Sequence, residues 1–168
     1  MSYKNVPFGT PENFNVVVEI QKGGQVKYEY DEQWHEIKVS CIFKNGFSFP
    51  FDYGYVPETR GGDGDHLDVF ILGSQSIQMG VIVECRPIGM IEIIDRGEKD
   101  DKILAIPLND LGYENIKILE DLPFDYKTIF EEFFKEIVVQ RNKTMGIKGY
   151  KDAKIALQEL ELAHKNFK

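Results

Sequence analysis

The chain has little of what marks secreted, membrane-spanning or zinc-binding proteins. It contains only two cysteines among 168 residues, Cys41 and Cys85, which are too few for a disulfide framework and match no zinc spacing. No apolar run approaches the length of a membrane span, and the opening residues, MSYKNVPFGTPENF, lack the apolar segment of a secretion signal. We therefore expect a cytoplasmic protein with reduced thiols and no membrane contact.

Positive charge is also scarce. Twenty lysines and arginines stand against twenty-eight aspartates and glutamates, which gives a formal net charge of −8. This balance argues against binding to nucleic acid or to a membrane surface, because both require a basic face. An anionic ligand would need metal ions or a local cluster of lysines to hold it.

The first two thirds of the chain are typical of short strands separated by turns that contain glycine and proline. Strands over 16–20 and 26–31 flank QKGGQ, which predicts a hairpin. In the second of them Lys27 and Glu29 share one face, because side chains alternate along a strand. Further predicted strands cover 36–43, 67–72, 80–95 (bent near Pro87 and Gly89) and 102–107.

The last third changes to a helical period. From Tyr126 the apolar residues fall at 126, 129, 130, 133, 134 and 137, which is one stripe of an amphipathic helix. A second helix is predicted from Asp152, a favourable N-cap, and TMGIKGY between the two is predicted to be a loop. The pattern predicts an α+β fold in one domain over residues 1–168, with a small antiparallel barrel or sandwich followed by two helices.

The segment GGDGDHLD at 61–68 places three aspartates close together, Asp63, Asp65 and Asp68. Carboxylates this close repel one another, so they indicate either a solvated turn or a bound cation. A calcium EF-hand loop is excluded because Asp68 stands where that loop needs glycine, and the flanks resemble strands. An aspartyl-nucleophile phosphatase is disfavoured because no buried strand precedes the first aspartate. On this segment alone, the turn and the cation site both stay open.

A second acidic segment, DRGEKDDK at 95–102, contains Asp95, Asp100 and Asp101 between two predicted strands. Taken alone, such a run is typical of a charged hairpin tip. If both acidic loops leave strands at one end of a small barrel, their five or six carboxylates would form a site for Mg²⁺ or Mn²⁺.

Several segments, in colinear order over almost the whole chain, resemble the magnesium-dependent soluble inorganic pyrophosphatases of the first family. The most specific is DYGYVPETRGGDGDHLDVFILG, which matches the family's Asp-x-Asp-x-x-Asp signature ahead of an apolar strand. The other matching segments are NVPFGTPENFNVVVEI, ECRPIGMIEIID, DDKILAIPLNDL, EDLPFDYKTIFEEFFK and the Gly-Tyr pair before the last helix. The resemblance implies a five-stranded OB-like antiparallel barrel followed by two helices, and a homo-oligomer that is usually a hexamer in bacteria.

The resemblance also implies a role for each matching acidic residue. Asp63, Asp68 and Asp100 match the ligands of two activating metal ions, with Asp68 bridging them. Asp65 matches the residue that orients or deprotonates the attacking water. The acids that match holders of the metal ions arriving with the substrate are Asp95, Asp100, Glu19 and Glu29.

The implied reaction is hydrolysis of inorganic pyrophosphate to two phosphates. In such a reaction divalent ions neutralise the substrate's charge and acidify a water, and a carboxylate takes the remaining proton. Lysine and tyrosine side chains then stabilise charge on the departing phosphate. The residues that match these phosphate contacts and their supporting groups are Lys27, Tyr53, Lys102 and Lys135.

The chain departs from the family mainly on the phosphate side. Cys41 stands at the substrate-binding position of a family arginine, and a thiol cannot replace a bidentate guanidinium. Phe49 and Phe134 replace tyrosines, and Arg96 replaces an acidic residue. Two interpretations stay open: an active enzyme that tolerates these changes, or a relative that binds divalent metal and a phosphate compound with weakened or lost turnover. The candidate compensating cations are Lys44, Arg60 and Arg96.

Overall fold

The computed structural model describes residues 2–167, so residues 1 and 168 of the predicted domain lie outside it. Strands precede and follow the first of two α-helices, and two short 3-10 helices lie at Leu111–Tyr113 and Leu119–Asp121. In chain order the elements are β1 (Phe14–Ile20), β2 (Val26–Asp31), β3 (Glu36–Ile42), β4 (Asp52–Val56), β5 (Leu67–Ile71), β6 (Ile82–Asp95), β7 (Glu98–Lys99), β8 (Lys102–Pro107), α1 (Tyr126–Arg141), β9 (Met145–Asp152) and α2 (Ala153–Phe167).

Five strands form a closed ring in the order β1, β4, β5, β8 and β6, because β6 pairs back with β1. The predicted α+β class is therefore confirmed. The expectation of a purely antiparallel sheet is wrong at one place, since β5 and β8 run parallel with Asp68 opposite Lys102. The parallel pair arises because β8 returns antiparallel to β6 and inserts between β6 and β5.

The predicted hairpin of β1 and β2 is wrong. Strand β1 is buried along nearly all its length, and it takes partners from both sides, β4 and β6. The intervening loop instead bonds to Phe49, whose carbonyl accepts from Gly23 N at 2.8 Å. Gly23 has a φ of +84°, a conformation that glycine adopts at little cost. Strand β2 is thereby free to pair with β3 in a separate two-stranded sheet.

Two further strands, β9 and β4, were not predicted from the sequence. The predicted loop TMGIKGY lies in β9, which pairs antiparallel with the long β6 and is irregular between Glu92 and Ile93. Strand β4, within the aromatic stretch FKNGFSFPFDYGY, carries no alternation because all five of its residues are buried. The predicted bend in β6 is confirmed, since its register with β8 shifts between Pro87 and Gly89.

Both predicted helices are confirmed. The buried stripe of α1 packs on aromatic side chains of the ring, with Phe70 lying 4.9 Å from Phe130 and 5.8 Å from Phe133 between ring centroids. Asp152 caps α2, and its side chain accepts from Ile155 N at 3.0 Å. Across residues 2–167, neither helix has the length and apolar character that a membrane crossing requires.

Candidate active site

The two acidic loops converge on Lys102, as the sequence predicts for loops at one end of the ring. Lys102 begins β8 directly opposite Asp68 of β5, and its ammonium contacts the Asp68 carboxylate. The same ammonium donates to Asp100 Oδ1 at 2.7 Å. Lys102 is only 5% exposed, so these two carboxylates provide most of the negative charge that balances its ammonium. Burial alone would lower the pKa of Lys102, but Asp68 and Asp100 raise it.

A narrow acidic crevice lies beside this cluster. We define it by Asp63, Asp68, Asp100 and Asp101, all of which line it. The signature loop is tightly wound, because Asp63 Oδ1 accepts from Asp65 N at 3.0 Å. Burial raises the pKa of Asp100 to about 6, with Lys102 opposing and Asp68 adding to the rise. The crevice thus holds more carboxylate charge than Lys102 alone neutralises.

A wider acidic cleft of about 510 Å³ opens next to the crevice and shares Asp68 with it. Its predicted site residues are Glu19, Glu29, Tyr53, Asp65 and Asp68. Burial raises the pKa of Glu19 well above its usual value, and Asp68 adds to the rise, although Tyr30 N donates to its carboxylate at 2.7 Å. Burial, and then repulsion by Asp68, also raises the pKa of Asp65. Asp65 therefore faces the cleft as a carboxylate with increased proton affinity.

The remaining acids of the second loop have different surroundings. Lys143 Nζ donates to Asp95 Oδ2 at 3.0 Å, while Asp95 Oδ1 is buried without a hydrogen-bond partner. Asp101 is buried, and its Oδ1 accepts from Ile93 N at 2.9 Å, which ties the loop to β6. Each acid thus has a second buried oxygen without a hydrogen-bond partner, but that of Asp101 lies 3.2 Å from Lys99 Nζ.

A basic recess lies on the other side of Lys102 and Tyr53. We define it by its four cations, Lys27, Lys102, Arg141 and Lys143, with Asp100 and Tyr53 also in its lining. Lys27 pairs with Glu29 of the same strand, on the face that the alternation predicts. Burial, then the charges of Asp68 and Asp100, raises the pKa of the Tyr53 hydroxyl, so it remains a proton donor. Four cations and a neutral phenol therefore adjoin the carboxylates.

Phe49 and Phe134 form part of the wall of the basic recess. Phe49 lies 5.5 Å from Tyr53 and 5.0 Å from Phe133, between ring centroids. Phe134 packs 5.1 Å from Phe133. At the two positions where the resemblance implies tyrosines, this chain therefore has apolar aromatic packing.

Two predicted phosphate-side residues lie apart from this lining. Lys135 is exposed and, with Glu131 and Glu132, lines a neighbouring surface cavity that borders the basic recess at Phe134 and Met145. Cys41 stands on β3 opposite Lys27, so it is adjacent to a cation of the recess without being part of its lining.

The three candidate compensating cations are also directed elsewhere. Arg96 is exposed in the β6–β7 turn, Lys44 is also exposed, and neither is part of the recess lining. Arg60 lines the acidic cleft, where it makes two bonds to the Glu32 carboxylate of 2.6 and 2.9 Å.

Arg141 and Lys143 are the site residues that the sequence reading missed. A usable signal was present, because Arg141 follows Phe134 by seven residues on a predicted helix and so shares its face. Lys143 carried no such signal, since its position depends on how the chain leaves α1.

The donor set of the acidic cluster fits a divalent cation of the hard type. The candidate ligands are all carboxylate oxygens, burial and nearby carboxylates raise the pKa values of Glu19 and Asp100, and one buried oxygen of Asp95 lacks a partner. Over residues 2–167, no three His, Cys, Asp or Glu side chains stand close enough to share one ion. The ammonium of Lys102 lies between Asp68 and Asp100.

Comparison with known proteins decides the family. A model of the inorganic pyrophosphatase family matches residues 16–168. The chain belongs to the inorganic pyrophosphatase family. Its pyrophosphatase relatives include that of Saccharolobus solfataricus, 38% identical over 156 residues and 91% of each chain, and that of Campylobacter jejuni, 35% identical over 161 residues and 94% of each.

Solved pyrophosphatase structures share the fold. The inorganic pyrophosphatase of Coxiella burnetii superposes with a TM-score of 0.88 at 33% identity, over 97% of this chain and 100% of that one. That of Thermus thermophilus gives a TM-score of 0.87 at 28% identity, over 99% of each chain. The similarity thus extends over the ring, the β2–β3 sheet and both helices.

Proposed function

We propose that this pyrophosphatase-family protein hydrolyses inorganic pyrophosphate to two phosphates, with Mg²⁺ as its activating metal and Mn²⁺ able to replace it. The observation that carries the proposal is the meeting of the acidic crevice and the basic recess at Asp100 and Lys102. Metal-bound pyrophosphate has both signs of charge, and a site with carboxylates on one side and cations on the other is complementary to it.

On the acidic side, Asp63, Asp68 and Asp100 would hold the activating metal ions, with Asp68 shared between them. When bound, such ions neutralise charge on the pyrophosphate oxygens and acidify the attacking water. The acids proposed to hold the ions that arrive with substrate are Asp95, Asp100, Glu19 and Glu29. The unpartnered oxygen of Asp95 and the burial of Glu19 support this assignment.

Side chains of the protein would then accept the proton of the water and stabilise negative charge on the phosphates. Asp65 accepts a proton from the attacking water, and burial and the charge of Asp68 raise its pKa, which increases its basicity. Lys27, Tyr53 and Lys102 donate to phosphate oxygens, where a buried cation or phenol stabilises developing negative charge strongly. The recess is partly walled by phenylalanine rings, which strengthens these interactions by excluding water.

We further propose a cytoplasmic homo-oligomer, a hexamer by resemblance, in which the five-stranded ring is an OB-like barrel. The number of strands in the ring supports the barrel assignment.

The test is phosphate release from pyrophosphate by the purified protein, with excess Mg²⁺ and with EDTA in its place. We expect release in Mg²⁺, little in EDTA, and recovery in part with Mn²⁺. A phosphate monoester serves as the control substrate, which the protein should hydrolyse far more slowly. Mg²⁺ binding without release above background would overturn the proposal in favour of the alternative, a relative that binds metal and a phosphate compound without turnover.

A further inference from the structure

The basic recess contains two cations that the resemblance did not assign, Arg141 and Lys143. We propose that Arg141 and Lys143 bind a phosphate group of pyrophosphate, and so supply the positive charge that the family places at the positions of Cys41 and Lys135. The inference rests on the proposed function, which it deepens by replacing two of the expected phosphate contacts.

Helix geometry separates Arg141 from Lys135. An α-helix turns by about 100° per residue, so seven residues bring Arg141 to within about 20° of Phe134 on the same face. Phe134 lines the recess, and Arg141 lines it two turns further along. Lys135 is rotated by about 100° from Phe134 and lines the neighbouring cavity, which borders the recess at Phe134 and Met145, whereas the recess lining itself contains Arg141 and not Lys135.

The end of α1 places Lys143 on the same side. Asn142 has a φ of +48°, and its backbone N–H bonds to Val138 O, which ends the helix in a left-handed residue. Lys143 N also donates to Val138 O, at 3.2 Å, so the chain turns sharply at this point. The side chain of Lys143 then reaches Asp95 and is only 17% exposed. The Lys143 ammonium, bonded to Asp95, therefore lies at the border of the recess.

The charge of Arg141 extends across the recess. Arg141 lines the recess together with Lys27, which lies on the β2–β3 sheet that also carries Cys41. A guanidinium there can donate two parallel hydrogen bonds to a phosphate, which Cys41 cannot do.

The experiment compares Arg141→Gln with Lys135→Gln, which removes the same charge from the exposed neighbouring face of α1. Binding of imidodiphosphate, a pyrophosphate analogue that resists hydrolysis, is measured by calorimetry in Mg²⁺. We expect Arg141→Gln to weaken binding about 10-fold to 100-fold, as for loss of a charged hydrogen bond, and Lys135→Gln to change it less than about twofold. Lys143→Gln should also weaken binding. Equal affinities for the Arg141→Gln and wild-type proteins, or a larger loss in Lys135→Gln, would overturn the assignment.

A second variant distinguishes the loss of a phosphate contact from a general loss of structure. Introducing Cys41→Arg into the Arg141→Gln protein should restore at least part of the affinity, because the new guanidinium enters beside Lys27. A loss that Cys41→Arg does not restore would also overturn the assignment. Because the readout is binding, it decides the role of Arg141 even if the wild-type protein fails to hydrolyse pyrophosphate, a result that would refute only the proposed function.

Discussion

The acidic and basic halves of the candidate active site are carried by different parts of the fold. Asp68 and Lys102 lie on paired strands of the closed ring, and Glu19 is the penultimate residue of β1, another strand of the ring. The acids of the signature and second loops directly adjoin ring strands. By contrast, Lys27 and Glu29 belong to the separate β2–β3 sheet, and Arg141 ends a helix. The ring and its adjoining loops therefore position all the proposed acids except Glu29, whereas outlying elements supply most of the cations.

This difference explains where the chain has diverged from its family. A carboxylate on a ring strand cannot be moved to another position without changing the strand register, which would turn side chains to the other face. A phosphate-binding cation can enter from any element that borders the recess, because a single charge tolerates many approaches. The substitutions at Cys41 and Phe134 fall in the half of the site where replacement from a neighbouring position is geometrically possible.

The largest expected effect is the loss of turnover in a variant of Asp65. Asp65→Asn removes the proposed proton acceptor, and turnover should fall about 10²-fold to 10⁴-fold while Mg²⁺ affinity changes little. Phosphate release and Mg²⁺ calorimetry on the same preparation check both parts. Glu98→Gln, which changes an exposed acid of β7, is the matched control and should keep full activity. Undiminished turnover in Asp65→Asn would show that another group activates the water.

The second prediction concerns Lys102, which joins the halves. Lys102→Met leaves Asp68 and Asp100 without their shared cation, and the free energy of unfolding in EDTA should fall by about 3–5 kcal/mol. Mg²⁺ should restore more stability to this variant than to wild type, since the ion then replaces the ammonium. Urea unfolding with and without Mg²⁺ measures both effects.

Lys99→Met is the control for Lys102→Met. Lys99 also pairs with two acids, Asp101 and Glu159, but its side chain is 46% exposed, so its removal should cost no more than about 1 kcal/mol. Equal losses in the two variants would contradict the account of Lys102 as a buried bridge.

The smallest effect is a pH dependence that originates in the acidic crevice. Because the pKa of Asp100 rises from 3.8 to about 6 on folding, its favourable contribution is complete below pH 4 and is lost as the pH rises through 6. In EDTA, wild type should therefore lose about 2–3 kcal/mol relative to Asp100→Asn between pH 4 and pH 7.5. Urea unfolding at the two pH values gives this difference, and a difference independent of pH would contradict the raised pKa.

Much of the acidic half could be predicted from the sequence. The Asp-x-Asp-x-x-Asp spacing and the second acidic run lie next to apolar strands, so their convergence at one end of a ring followed from local patterns. Strand β4 was missed because a strand buried on both faces shows no alternation. The hairpin of β1 and β2 was wrong because a continuous apolar strand gives no sign of which neighbours it will take.

The basic half was harder to predict from the sequence, because it too depends on which elements become neighbours in the fold. Lys135 satisfied the sequence match, but its direction depends on the rotation of α1 about its axis, which packing of Phe130 and Phe133 sets. Lys143 depends on the left-handed residue Asn142, a local conformation that residue type alone indicates weakly. Contacts between distant elements therefore decide which cations reach the recess.

The most direct test of a divided site is Mg²⁺ binding, measured by calorimetry without substrate, in Asp68→Asn and Arg141→Gln. Asp68 is the proposed shared ligand, so Asp68→Asn should weaken Mg²⁺ binding at least about 10-fold, as expected when a charged ligand is lost. Arg141→Gln should leave Mg²⁺ affinity unchanged or slightly higher, because it removes positive charge from the other half. Weakened Mg²⁺ binding in Arg141→Gln, or unaltered binding in Asp68→Asn, would contradict the division into a metal-binding and a phosphate-binding half.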